Sequence, residues 1–165
     1  MKKRKYFLLL SILVFGVLGY FRERFFEHLN IILASVYRGT NEYEIVHQEM
    51  PQILAPLMSW SYINLYYSKY AFTLGWTFIF YACSYVSLKL LLTEAGLLLK
   101  YLTRAYLLIL ILAAISMIFG YFINGNLKND EYTFSRWLLG IGQSPIICLI
   151  LLASEKLNLK SISHD

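Results

Sequence analysis

The sequence predicts an all-α integral membrane protein, a four-helix bundle, and three observations carry that prediction. Hydrophobic residues make up 58% of the 165 positions and charged residues 15%, whereas soluble domains run at about 45–50% apolar and about 25% charged. Four long apolar runs are set off by polar flanks, and Lys and Arg fall unequally on the two sides that these runs define. A mean hydropathy of +0.54 and two cysteines exclude a disordered chain, a disulfide-stapled secreted fold and a separate soluble catalytic domain.

The first run, residues 6–21, follows Lys2, Lys3, Arg4 and Lys5. It is short for a hydrocarbon core of about 30 Å, which takes about 20 helical residues, so it leans on its flanks. A cleavable signal peptide shares this pattern of a basic stretch before an apolar one, but the run ends in Tyr20-Phe21-Arg22-Glu23-Arg24 with no small-residue cleavage site. A retained anchor is therefore expected. The second span, 70–92, carries only Lys89, close enough to its end for the amine to reach the interface. The third, 105–123, follows Lys100 and Arg104, and the fourth, 134–153, precedes Glu155 and Lys156.

With the N-terminus inside, the inner segments hold nine Lys and Arg against three acids, and the outer segments six against seven. Cytoplasmic loops carry the basic excess, so both termini are expected in the cytoplasm of a multi-pass cell-membrane (inner or cytoplasmic membrane) protein. The formal charge of +5 then serves insertion and the anionic bilayer surface, with no nucleic-acid partner implied. The chain reads as one membrane domain over 1–165.

Residues 22–69 form an outer segment too long for a plain connector. Phe25, Phe26, Leu29, Ile32, Leu33 and Val36 recur at helical spacing, while Glu23, Arg24, Glu27, His28 and Arg38 fall mostly on another face. The spacing predicts an amphipathic helix that lies on the outer leaflet or prolongs the first span, ended by Gly39-Thr40-Asn41. Residues 50–67 are apolar but interrupted by Pro51 and Pro56, as in a short interfacial helix or a re-entrant segment. Trp60, Tyr62, Tyr66 and Tyr67 suit the aromatic belt at the interface. His28 and His47 with Glu27, Glu42, Glu44 and Glu49 match no ligand spacing such as H-E-x-x-H, so no metal and no cofactor are expected.

Two places invite a chemical reading. Cys83 and Cys148 fall at similar depth in the second and fourth spans, but no His or cation lies near either in sequence to stabilise a thiolate. They read as small packing residues, and their depth allows a disulfide that nothing in the sequence calls for. The segment FSRWLLGIGQSPI (134–146) is the more informative. On a helix Arg136, Gly140, Gln143 and Ser144 share one face, which predicts a partner-binding stripe or, more plainly, helix packing with Arg136 reaching the headgroups. Pro145 should free a carbonyl one turn earlier that something must satisfy. Ser116 and Gly120 form a small-x-x-x-small pair in the third span, and Asn124, Asn126 and Asp130 read as a turn. The spans contain no acid or His for proton-coupled transport, and P-loop, GxSxG and dinucleotide fingerprints are absent.

In layout the chain resembles the small four-span, exosortase-system-associated membrane proteins of bacteria. The residues that carry the resemblance are the basic N-terminus, the aromatic-acidic RFFEHL at 24–29, the Pro-containing outer segment, and a last span opening as Phe134-Ser135-Arg136-Trp137-Leu138 before Gln143-Ser144-Pro145. The family pattern places Gln directly before Pro and often two adjacent Arg, where this chain has Ser144 and Ser135. The resemblance implies a non-enzymatic accessory that binds another integral membrane protein, an exosortase, within the bilayer. Alternatives are the Cys transpeptidase-like enzyme itself and a small-molecule transport subunit. For the enzyme, Ala82-Cys83-Ser84 is similar to the exosortase nucleophile motif and Arg104 to its downstream Arg, although Tyr85 stands where that motif has Gly.

Overall fold

The computed structural model describes residues 2–38, 52–92, 95–124 and 133–162, and among these every regular element is helical. The helices are α1 (Lys2–Arg38), a 3₁₀ helix (Gln52–Ser59), α2 (Tyr62–Leu91), α3 (Gly96–Asn124), α4 (Thr133–Gly142) and α5 (Ile146–Ile162). The expected stop at Gly39–Asn41, the turn at Asn126 and Asp130, and His47 with Glu42, Glu44, Glu49 and Pro51 lie outside the described residues.

Three helices are long and apolar enough to cross a membrane, and α4 with α5 makes a fourth if that bent pair counts as one span. The physics of a lipid solvent shows on α2. Its inward stripe holds Thr77, Phe80, Ser84 and Leu88, whereas Phe78, Ile79, Val86 and Leu90 are exposed. Polar side chains turn inward and large apolar ones outward, the reverse of a surface helix in water. On α1 only Phe15 of the apolar run is buried, stacked 6.1 Å from Phe80.

The chain groups into two compact units, Leu18–Trp76 and the remainder, Met1–Val17 with Thr77–Asp165. In the first unit the amphipathic stretch proves to be a prolongation of the first span, since α1 is continuous for 37 residues, about 55 Å at 1.5 Å per residue. Leu29 and Ile32 on α1 form a buried core with Leu54 and Leu57 of the 3₁₀ helix and Leu65 of α2. A 3₁₀ helix has three residues per turn, so Leu54 and Leu57 fall on one face, and both are buried there. The α2 helix begins at Tyr62, eight residues before the apolar run, because Ser61 caps it: the Asn64 backbone N–H donates to Ser61 Oγ at 3.4 Å. Tyr62, Tyr66 and Tyr70 follow at four-residue spacing, with ring centroids 6.2 and 5.7 Å apart and Tyr37 of α1 5.3 Å from Tyr62.

In the second unit α3 packs chiefly against α4 and also against α5. Ser116 and Gly120 both fall within α3. At Gly142 an added Cβ would stand 3.5 Å from Thr77 Cγ2 and 3.6 Å from Ile109 Cγ2.

Candidate functional site

The expected fourth span is not one straight helix. Its two halves meet at 55° across Gln143, Ser144 and Pro145. Proline has no N–H and its ring collides with the carbonyl four residues back, here that of Ile141. That carbonyl accepts from both the backbone N–H and the hydroxyl of Ser144, at 3.2 and 2.7 Å. The same hydroxyl oxygen accepts from the Ile146 N–H at 3.4 Å, so Ser144 caps the start of α5 and Pro145 leads directly into it, an arrangement proline's fixed φ favours. Ladder bonds on either side, Gln143 N to Leu139 O and Leu149 N to Pro145 O at 2.9 Å each, close the break. It is therefore a built corner in which one serine satisfies both helix ends.

This corner revises the single face expected of Arg136, Gly140, Gln143 and Ser144. Because α4 stops at Gly142, offsets of seven and eight no longer continue the helical stripe. Arg136 is exposed and a Cβ on Gly140 would meet nothing within 4 Å, so these two look outward. Gln143 is 5% exposed and turns inward, its Nε2 donating to Thr77 Oγ1 at 3.0 Å, while the Ser144 hydroxyl is taken up by the cap. The outer face of α4 is completed by Phe134, 56% exposed, and Trp137, 62% exposed, stacked with centroids 6.4 Å apart. Ser135 and Leu138 on the opposite face are buried. An aromatic pair around an arginine, beside a glycine that leaves the backbone open, is the composition of an interaction hot spot.

Behind this face lies a polar seam that sequence reasoning missed. Besides Thr77 with Gln143, the Ser84 and Tyr106 hydroxyls are 3.4 Å apart in a buried contact. Outside the buried seam, on the exposed side, Tyr81 donates to Thr103 Oγ1 at 3.0 Å, since the Thr103 hydrogen already goes to the Leu99 carbonyl. Among the described residues no buried side-chain nitrogen or oxygen lacks a partner. The seam thus holds helices together. Thr77→Val keeps the side-chain shape and removes the bond from Gln143, so the protein should lose about 0.6–2 kcal/mol of stability in bilayer or micelle. Thermal unfolding of the purified variant checks this; an unchanged midpoint contradicts it.

Cys83 and Cys148 are free thiols, Cys148 buried. His28, the one described histidine, sits on α1 with its Nδ1–H donating to the Arg24 carbonyl at 2.6 Å. His47 and His164 fall outside the described residues. Among the described residues no three His, Cys, Asp or Glu side chains gather as metal ligands would. Of the aromatic-belt residues, Trp60 and Tyr67 are exposed, whereas Tyr62 and Tyr66 are half-buried in the tyrosine row of α2.

The chain matches no family model, no curated protein and no solved structure.

Proposed function

We propose that this chain is a non-enzymatic accessory subunit that binds another integral membrane protein, of the exosortase-type sorting and processing class, in the cell membrane. The outer face of α4 is the docking surface, and the 22–69 segment is assigned the same role by its length and composition. The observation that carries the reading is the division of labour on α4. Ser135, Leu138 and Gln143 face inward, while Phe134, Arg136 and Trp137 remain exposed around the open Gly140. A guanidinium at membrane depth is costly unless it meets headgroups, water or a protein partner, and stacked aromatics beside it supply the anchor.

The bent pair α4–α5 is read as one crossing. Ten residues on either side of the corner give about 15 Å each, and a 55° bend still leaves a reach of about 30 Å with the corner included. Four crossings then place both termini on one side, the cytoplasm by the distribution of Lys and Arg.

Crosslinking in intact membranes through a tag on the chain, followed by mild extraction and mass spectrometry, should recover a second integral membrane protein. Arg136→Ala should cut that recovery by about tenfold, the effect of losing an arginine hot spot. Gly140→Leu should do the same by blocking close approach, with no loss of fold because the space around Gly140 is open. Wild-type recovery with both variants contradicts the reading.

A further inference from the structure

Gly140 stands at the middle of the outward face of α4. With about 100° between successive helical residues, the inward Ser135, Leu138 and Gly142 fall within about 60° of one another, and Gly140 lies nearly opposite them. Arg136 flanks it on one side, one turn nearer the start of the helix, and Trp137 flanks it on the other. Nothing comes within 4 Å of the place where a Cβ on Gly140 would stand. The face is therefore notched, with bare backbone for a floor and a guanidinium and an indole for walls.

The spans of this chain have nothing to set against that guanidinium. Arg136 is the only charged residue from Tyr132 to Ser154, and residues 70–88 and 105–127 carry no charge at all. The nearest acids in sequence, Asp130 and Glu131, precede α4. A charge at membrane depth pairs with its opposite, and a guanidinium meets a carboxylate through two parallel N–H bonds of fixed geometry. A lipid headgroup answers the charge and leaves the open glycine without a use, since fluid chains fill against any side chain. A second copy answers the glycine, because small residues let two helix backbones approach closely, and fails on the charge. A symmetric contact brings the same patch from both sides, and α4 carries no acidic residue, so two arginines would face each other. A helix of a different protein that bears a carboxylate satisfies both walls and floor.

Resting on the docking reading of α4, we propose that the notch seats a transmembrane helix of the partner. That helix crosses α4 at Gly140, sets an aspartate or glutamate carboxylate on the Arg136 guanidinium, and lays its apolar side chains on Trp137 and Phe134.

A photoactivatable phenylalanine analogue in place of Phe134, in the full chain and in intact membranes, reports the contact. Mass spectrometry of the adduct names the captured protein and the acids near its crosslinked residue. Arg136→Gln should cut the adduct about tenfold, and Arg136→Lys, which keeps the charge without the fork, by about threefold at most. An amide in place of the partner's acid, which leaves this chain untouched, should also cut it about tenfold. Arg136→Glu should be as poor as Arg136→Gln, and lysine at the partner's acid should then restore the adduct. Asp130→Asn combined with Glu131→Gln should leave it at the parent level. Rescue is its own control for folding, since a misfolded chain is not repaired by a change in another protein.

Undiminished capture by Arg136→Gln overturns this proposal and leaves the docking reading standing, with the guanidinium given to headgroups. Undiminished capture after amidation of every mapped acid overturns it too, as does a loss caused by the change at Asp130 and Glu131. Capture of a second copy of this chain, or of lipid alone, overturns both this proposal and the docking reading.

Discussion

Leu65→Asp should unfold the core of the 18–76 unit, while Ile63→Asp, two residues away, should leave it standing. Leu65 is 0% exposed and meets Leu29, Ile32, Leu54 and Leu57. A carboxylate placed there loses its hydration and finds only hydrocarbon, so it either remains charged at a prohibitive cost or takes up a proton and remains an unpaired polar group. In either case the expected loss is about 4 kcal/mol or more. Ile63 is 63% exposed, and a carboxylate there keeps its solvent, within about 0.5 kcal/mol of the parent. Limited proteolysis separates the two: rapid cleavage inside the α1 and α2 stretches of this unit is expected for Leu65→Asp alone. Equal resistance of both variants contradicts the core described here.

Gly142→Leu carries the second large effect. A Cβ at this position only touches its neighbours, at 3.5 Å from Thr77 Cγ2, 3.6 Å from Ile109 Cγ2 and 4.0 Å from Tyr106 Cε1. Gly142→Ala is therefore expected to fold. The three further carbons of leucine must occupy space already held by α2 and α3, and pushing α2 away breaks the bond between Gln143 and Thr77. Overpacking and the weakened buried amide together should cost about 3 kcal/mol or more. Thermal unfolding followed by size-exclusion elution should show an intact alanine variant and an aggregated or strongly destabilised leucine variant. A leucine variant that melts with the parent would mean that the three helices do not converge at Gly142.

How far the sequence disclosed this structure depends on which signal each element offers. Apolar runs located the spans, because hydrocarbon selects for length and composition, and the spacing of Phe25, Leu29, Ile32 and Val36 announced the amphipathic half of α1. Hydropathy does not mark helix ends. Tyr70 looked like the start of the second span because Lys69 precedes it, yet the helix begins at Tyr62, where Ser61 offers an N-cap. Hydropathy marks 134–153 as one run, although Ser144-Pro145 is an N-cap followed by a first-turn proline. That pair was legible as a helix start, and reading it so would have split Gln143 and Ser144 from Arg136. The inward seam was harder to see. Thr77 and Ser84 look self-sufficient in a span, since short hydroxyls bond to a carbonyl of their own helix, as the exposed Thr103 does to Leu99. Only Gln143, too long and too polar to remain alone, demanded a partner, and the sequence did not name Thr77 as that partner.

In the proposed function the α4 face bearing Phe134, Arg136 and Trp137 meets another membrane protein, while the face bearing Leu138 and Gln143 packs within this chain. A photoactivatable phenylalanine analogue placed at Trp137, and separately at Leu138, tests it most directly in intact membranes. Illumination should yield a discrete adduct with a second integral membrane protein from position 137, and only intramolecular product from position 138. Lipid adducts alone from position 137, or the same captured protein from both positions, would contradict the claim.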